Sequence, residues 1–138
     1  MFGQYKATID VKGRINFPAK LRDELGNSFI IAKTIDARCI KIYSDEDWQV
    51  LVERIKSMDS VKSAQIQRFL FAGAYDIAPD KQGRFVIPPP LREYAGIESE
   101  AVIVGLEGRA EIWSKANWDK NSEITNDELI QTAIELGL

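Results

Sequence analysis

Residues 10–22 read DVKGRINFPAKLR, and residues 80–92 read DKQGRFVIPPPLR, 70 positions later. The same offset aligns residues 2–48 with residues 72–118 without a gap and gives 12 identities. Chance would give about three identities at the few-per-cent match rate of natural compositions. The sequence therefore predicts two copies of one unit, and we expect them to pack as a pseudo-twofold pair because two copies are too few for a solenoid.

Each copy has the pattern of a strand, a turn, a second strand, a short helix, a pair of strands and a longer helical region. In the Asp-x-x-Gly-Arg segments, Gly13 and Gly83 can take the positive φ that a tight turn needs. Pro18 and Pro88 can end the second strand and open a helix at its first position. The pattern predicts a mixed α+β fold.

Three longer helices are predicted outside the duplicated segments 10–22 and 80–92. Ser44 is a suitable cap for a helix that runs to about Ser57, and a further helix follows from Ser60. Residues 125–128, TNDE, form a capping box that opens a C-terminal helix with apolar side chains on one face. We expect that helix to dock on the core or on another subunit, because it lacks the basic polar face of a membrane-surface helix.

Composition excludes several kinds of chemistry. The chain of 138 residues has no histidine and one cysteine, Cys39, so histidine-assisted nucleophiles, histidine-ligated metals and intrachain disulfides are excluded. Cys39 lies in a strand-like run and is expected to be structural. No apolar stretch is long enough to span a membrane and no signal peptide pattern follows Met1, so the expected compartment is the cytoplasm.

Charge is distributed unevenly along the chain. Residues 1–70 carry 12 Lys and Arg against 9 Asp and Glu, whereas residues 71–138 carry 6 against 12. A locally basic segment can hold a polyanion even in a chain whose net charge is -3. Charge alone nevertheless favours an ordinary solvated face, so the case for a polyanionic ligand depends on the duplicated motif.

The arginines of the two turns are the candidate DNA-binding residues. The planar guanidinium of arginine can grip a phosphate or the O6/N7 edge of guanine. Arg14 and Arg84 each follow a turn glycine, so each is expected to project from a hairpin tip. Lys12 adds a phosphate contact in the first copy, and Lys81 lies one position earlier in the second. The two tips should therefore read DNA differently, with the first copy the stronger phosphate binder.

The aspartates and the helix arginines of the motif have a structural interpretation as well. Asp10 and Asp80 are expected to orient the neighbouring arginine or to accept hydrogen bonds from turn amides. The residues alone leave open whether each Asp/Arg pair serves DNA binding or is only an ion pair within the fold. Arg22 and Arg92, on the short helices, are expected to pair with acidic neighbours.

The chain resembles the MraZ family of AbrB-like proteins. The resemblance lies in residues 1–5 (MFGQY), the two Asp-x-x-x-Arg turns, residues 84–96 (RFVIPPPLREYAG) and residues 111–114 (EIWS). It extends from residue 1 to about residue 119, and residues 120–138 match less closely. It implies two swapped-hairpin repeats, residues 1–70 and residues 71–138, that form one β-barrel-like domain with flanking helices.

The resemblance also implies a function. Members of that family are sequence-specific regulators of the bacterial division and cell wall gene cluster, and they bind repeated promoter boxes as rings at the nucleoid. The implied partners are double-stranded promoter DNA and further copies of the chain, with no cofactor, metal ion, small-molecule substrate or membrane.

Two alternatives from other functional classes stay open. The first is a structural ring that does not bind DNA specifically. The second is an acid/base dyad of Asp10 and Asp80, which would require the two carboxyls to be close together and desolvated.

Overall fold

The computed structural model of the chain describes residues 2–123 and 126–138, in which eight strands and six helices follow one another. The first half contains β1 (Gly3–Thr8), β2 (Arg14–Asn16), α1 (Ala19–Leu25), β3 (Phe29–Lys33), β4 (Ile40–Ser44), α2 (Asp45–Lys56) and α3 (Ser60–Leu70). The second half contains β5 (Tyr75–Ile77), β6 (Arg84–Val86), α4 (Pro89–Ala95), β7 (Glu100–Leu106), β8 (Arg109–Ser114), α5 (Lys115–Glu123) and α6 (Asp127–Glu135). The order of elements is the same in both halves, and the predicted α+β class is confirmed.

Six strands form an antiparallel sheet in the order β1-β7-β8-β4-β3-β5, and β2 pairs separately with β6. Among the described residues the large sheet stays open, with β1 and β5 at its two edges, so the expected barrel-like closure is not confirmed. The pair β2–β6 instead covers the core, because Ile15 and Phe85 from its centre are buried in the main cluster.

Most strand pairs join the two halves of the chain. β1 pairs with β7, β5 with β3, β4 with β8 and β2 with β6. Only β3–β4 and β7–β8, among the named strands, pair within one half. Each half therefore completes the sheet of the other.

The core lies between the large sheet on one side and α1, α4 and the β2–β6 pair on the other. Three aromatic rings at its centre contact one another, with ring centroids 5.2 to 6.1 Å apart: Phe17, Phe29 and Phe85. The short helices bury their leucines on the same core. Pro18 and Pro88 are the N-cap residues of these helices, one position before the predicted place, because each keeps an extended ψ near 135°.

The longer helices differ in how they pack. Ser44 caps α2 as predicted, since its Oγ accepts the backbone N–H of Asp47 at 3.1 Å, and α2 and α3 pack together around Ile55 and Leu70. α6 begins after Asn126, whose side chain accepts the N–H of Leu129, while Thr125 of the predicted capping box and Met1 lie outside the described residues. No residue of α6 is buried, so its expected docking on the core of the same chain is wrong, and a subunit contact stays a prediction.

Cys39 is structural, as predicted. Its side chain is fully buried and donates a hydrogen bond to Oγ1 of Thr34 at 3.2 Å. Burial raises the pKa of the Cys39 thiol to about 12. None of the described helices has the length and apolar character needed to cross a membrane.

Candidate nucleic-acid interface

Each Asp-x-x-Gly-Arg turn is organised by its aspartate. One carboxylate oxygen of Asp10 accepts the backbone N–H groups of Lys12 and Arg14, both at 2.9 Å, and the other accepts Nε of Arg14 at 2.7 Å. Asp80 makes the three equivalent bonds in the second turn, at 2.9, 2.9 and 3.0 Å. The aspartates therefore both order the turn amides and orient the arginines, as the sequence predicted.

The turn glycines have the predicted conformation. Gly13 has φ 78° and Gly83 has φ 81°, a region that side chains with a Cβ rarely adopt. The N–H of each glycine donates to the carbonyl oxygen of the aspartate three residues earlier, at 3.0 and 2.9 Å. Each turn is thus closed by its own main chain as well as by its aspartate.

Both aspartates are held in their ionised form. The pKa of Asp10 is lowered chiefly by the hydrogen bond from the backbone N–H of Arg14, and the pKa of Asp80 is lowered chiefly by the backbone N–H of Arg84. A dyad that shares a proton needs one carboxyl whose pKa is raised. The observed direction is the opposite one, so these carboxylates are suited to orienting arginines rather than to proton transfer.

The two turns lie at the ends of a single two-stranded ribbon rather than on separate tips. β2 and β6 place Ile15 opposite Phe85, and both of these side chains are buried. Because side chains alternate along a strand, the neighbours on either side share the outward face. We call this set of four side chains the ribbon face: Arg14, Asn16, Arg84 and Val86.

The ribbon face carries two half-exposed arginines at diagonal positions. Arg14 lies opposite Val86, and Arg84 lies opposite Asn16, a diagonal relation in which neighbouring residues are about 7–8 Å apart. The side chains of Arg14 and Arg84 are 29% and 34% exposed. Nε of each is used by its aspartate, and no described residue accepts a hydrogen bond from their terminal nitrogens. Those nitrogens remain available to an external acceptor.

The lysines flank the ribbon face. Lys12 and Lys81 lie in the turns at its opposite ends, and both are exposed. Within residues 2–123 and 126–138, neither lysine has an acidic partner within salt-bridge distance. Their ammonium groups therefore add positive charge beside the arginines without being neutralised by the fold.

The helix arginines cross over to the turn of the other half. A Cβ on Gly83 would lie 2.8 Å from Cζ of Arg22, and a Cβ on Gly13 would lie 3.2 Å from Nη1 of Arg92. Arg92 donates through Nη2 to the carbonyl oxygen of Glu98 at 2.8 Å, whereas Nε of Arg22 is buried without a partner in the described chain. The expectation that they pair with acidic side chains is wrong, because the glycines leave room for the guanidinium groups to pack on the turns.

Sequence reasoning missed Asn16 and Val86. Asn16 is exposed and Val86 is 49% exposed, although each lies next to a fully or nearly buried residue. Alternation around Ile15 and Phe85 predicts their outward direction. It becomes informative only when β2 and β6 are known to pair with each other. Among the described residues no cluster of acidic or cysteine side chains is arranged to hold a metal ion.

Comparison with known proteins identifies the family. The family model described as "MraZ protein, putative antitoxin-like" matches residues 1–68 and residues 70–135. Proteins named "Transcriptional regulator MraZ" are 44% identical in Lachnoclostridium phytofermentans, over 99% of this chain and 96% of the relative, and 45% identical in Caldicellulosiruptor bescii, over 100% and 99%. A third, from Alkaliphilus oremlandii, is 42% identical over 99% and 98%. The chain belongs to the MraZ family.

Proposed function

We propose that the protein is a transcriptional regulator that binds double-stranded promoter DNA through the ribbon face. The observation that carries the proposal is the pair of arginines on the outward face of one ribbon, each held through Nε by an aspartate and each with terminal nitrogens that donate to no described residue. The printed names of the relatives, "Transcriptional regulator MraZ", support it.

The dimensions and chemistry of the ribbon face suit the major groove. The major groove of B-DNA is about 12 Å wide and admits a two-stranded β-ribbon. Arg14 and Arg84 have the donors for guanine O6 and N7. The amide of Asn16 can donate to N7 of adenine and accept from its N6 amino group, and Val86 can contact a thymine methyl group. Base contacts of this kind would give the protein its sequence specificity.

Lys12 and Lys81 are assigned to the DNA backbone. They lie in the turns at the ends of the ribbon, where flanking phosphates would pass. Phosphate contacts fix register and orientation on the duplex rather than sequence. The turns differ because the position of Lys12 is taken by Gln82 in the second half, whose lysine, Lys81, lies one position earlier, so the two ends of the ribbon present the same charges at different places.

The domain organisation is part of the proposal. Residues 1–70 and residues 71–138 act as two swapped-hairpin repeats that build one DNA-binding unit. The common order of elements and the pairing of strands across the halves support this division. A ribbon with one strand from each repeat would present a pseudo-twofold face to the duplex.

We infer that several copies assemble into a ring that binds repeated boxes in the promoter of the division and cell wall gene cluster, in the cytoplasm at the nucleoid. A single chain has one ribbon and a net charge of -3. Linked copies would raise the effective concentration of each further ribbon and so strengthen binding. The family resemblance supports this choice of target and assembly.

The proposal is tested by replacing Arg14 and Arg84 with alanine, singly and together. Each single variant should bind a duplex from the promoter of the protein's own gene more weakly, by about tenfold, since one guanidinium–guanine contact contributes about 1–3 kcal/mol. The double variant should bind more weakly than either. Fluorescence anisotropy at fixed salt measures the affinity, with circular dichroism and light scattering as checks of folding and mass.

Arg54→Ala is the matched control, because Arg54 is exposed on α2 and away from the ribbon in sequence. It removes the same charge and should leave affinity unchanged. Unchanged affinity in folded Arg14→Ala and Arg84→Ala variants would overturn the proposal. A wild-type ring that binds promoter and scrambled duplexes equally weakly would favour the structural ring instead.

A further inference from the structure

The two open edges of the large sheet carry opposite charges at the middle of their edge strands. β1 lies at one edge and β5 at the other, and an unpaired sheet edge is a template for another strand. At the middle of β5 is Asp76, and the position 70 residues earlier, on β1, is Lys6. Both side chains are exposed, and neither forms an ion pair with any described residue.

A second pair of equivalent positions repeats this reversal of charge. The first residue of α2 is Asp45, and the first residue of α5 is Lys115. Each has a local partner, since Asp45 accepts a hydrogen bond from Ser28 at 3.0 Å and Lys115 donates to Asp119 at 2.7 Å. They reinforce the difference between the edges, but Lys6 and Asp76 are the charges left for another molecule.

The inward face of each edge strand leaves apolar surface incompletely covered. Tyr5 and Ala7 on β1, and Tyr75 and Ile77 on β5, pack against the main core but are only half-buried. A strand added at either edge would extend the core and cover them. The edges are thus complementary in charge on one face and alike in apolar character on the other.

Equivalent clefts accompany the two edges on the outward face. Trp118 and Val102 line the cleft beside β1, and Trp48 and Phe71 line the cleft beside β5. Each edge therefore combines an exposed charge with aromatic surface, which is typical of protein interfaces.

We propose that the β1 edge of one copy docks antiparallel against the β5 edge of the next copy, with Lys6 facing Asp76. Neighbouring strands alternate in direction across the sheet, so β1 and β5 run in opposite directions and two copies placed edge to edge meet antiparallel. In this register Tyr5 lies opposite Ile77, an aromatic and β-branched pair of the kind that stabilises antiparallel strands, and Ala7 lies opposite Tyr75.

The contact joins two different surfaces and is therefore heterologous. A heterologous contact closes into a ring when its rotation allows. The inference rests on the ring in the proposed function and names the surfaces that build it. Lys6 and Asn16 line one cleft, so the β1 edge adjoins the ribbon face at that residue.

The test is an exchange of charges across the contact. Lys6→Asp and Asp76→Lys should each reduce the mass measured by light scattering from the wild-type assembly to a monomer, because like charges then meet at every contact. A 1:1 mixture of the two variants should regain a large mass, since each variant edge then finds an opposite charge on the other variant. The double variant should assemble alone.

Matched controls come from Glu53 and Lys56, which are exposed and pair with each other on α2. Glu53→Lys and Lys56→Asp make the same changes of charge and should leave the assembly intact. Lys6 shares a cleft with Asn16 of the ribbon face, so the DNA measurement uses the Asp76→Lys variant. That monomeric variant should bind a duplex with one box within about twofold of the affinity of wild-type subunits. It should lose the gain of about tenfold or more that linked sites provide.

The outcomes separate this inference from the proposed function. Full-sized assemblies of both edge variants, or monomeric variants whose mass does not recover on mixing, would overturn the edge contact and leave DNA binding in place. A wild-type protein that stays monomeric would overturn the ring and the edge contact together. Loss of single-box binding in the Arg14→Ala variant alone would leave the edge contact untouched.

Discussion

At the scale of single residues, the arginines of the ribbon face are prepared for a ligand by their own turns. Arg14 donates through Nε to Asp10, and its terminal nitrogens donate to no described residue. The aspartate is in turn held by two backbone N–H groups, so the guanidinium direction is coupled to the turn conformation. A side chain fixed before binding loses less conformational entropy when the ligand arrives.

The turn aspartates should make stability depend on acid pH. Their folded-state pKa values are lowered from the usual value near 3.9 by backbone N–H donors. The contribution of Asp10 and Asp80 to the free energy of unfolding is therefore fully present above about pH 4 and is lost as the pH falls through the folded-state values. We expect Asp10→Asn/Asp80→Asn to destabilise the protein more at pH 7 than at pH 3, as measured by urea unfolding. An equal difference at both pH values would contradict this account.

The buried thiol of Cys39 should be unreactive in the native protein. Cys39 is fully buried and its pKa is raised to about 12, whereas the thiolate is the form that reacts. A thiol reagent at pH 8 should label the native protein far more slowly than the protein in urea, where the thiol has its ordinary pKa. Mass spectrometry measures the labelled fraction. Rapid stoichiometric labelling without denaturant would show that the segment carrying Cys39, directly before β4, opens.

At the scale of elements, the short helices and the helix α2 follow from local cues. Pro18, Pro88 and Ser44 mark the beginnings of α1, α4 and α2 within one residue. Such cues act through the backbone nearby, so they can be read without knowledge of the rest of the chain. The conformations of the turn glycines were predictable for the same reason.

The ribbon was not predictable in this way. β2 and β6 have three residues each, which is too short for a reliable period, and their partners are separated by about 70 positions. Without the pairing, the sequence predicts Arg14 and Arg84 on separate tips and gives Asn16 no place on a binding face. The cross-packing of Arg22 and Arg92 was missed because it depends on the same contact between halves.

The two faces of β6 should respond differently to truncation. Phe85→Ala should lower the free energy of unfolding by about 3–5 kcal/mol, because the ring is buried in the aromatic cluster. Val86→Ala should change it by no more than about 0.5 kcal/mol, because Val86 is 49% exposed. Chemical denaturation measures both values.

DNA binding should show the reverse order for these two positions. Val86→Ala should weaken affinity for the promoter duplex in a fully folded protein. Phe85→Ala should lose DNA binding only in proportion to the fraction of molecules that are unfolded. If Val86→Ala and Asn16→Ala both bind as wild type does, the base contacts proposed for Val86 and Asn16 are wrong and only the two arginines of the ribbon face remain as contacts.

At the scale of the whole molecule, the proposed complex has a definite dependence on salt and on the spacing of boxes. Each phosphate contact on duplex DNA contributes roughly -0.9 to the slope of log affinity against log salt. Several subunits with Lys12 and Lys81 engaged should give a slope of several units. A slope near zero would exclude phosphate binding.

Spacing tests whether several ribbons act on one face of the duplex. The protein should bind a duplex with several boxes on the same helical face far more tightly than a duplex with a single box. Moving one box by about half a helical turn, roughly 5 base pairs, should remove most of that gain in affinity. Anisotropy with the three probes at two salt concentrations measures both effects. Equal affinity for all three probes would contradict simultaneous engagement.

The pairing of strands across the halves has a consequence for how the protein is made. β1 ends at Thr8, but its partner β7 begins at Glu100. During synthesis on the ribosome β1 therefore has no partner strand until about three quarters of the chain has been made, which takes several seconds at the usual rate. Contacts so distant in sequence also slow folding. A stalled or truncated translation product ending before Arg84 contains β2 without β6, and it can neither complete the sheet nor form a ribbon face. Incomplete chains are therefore unable to compete with the finished protein for its ligand.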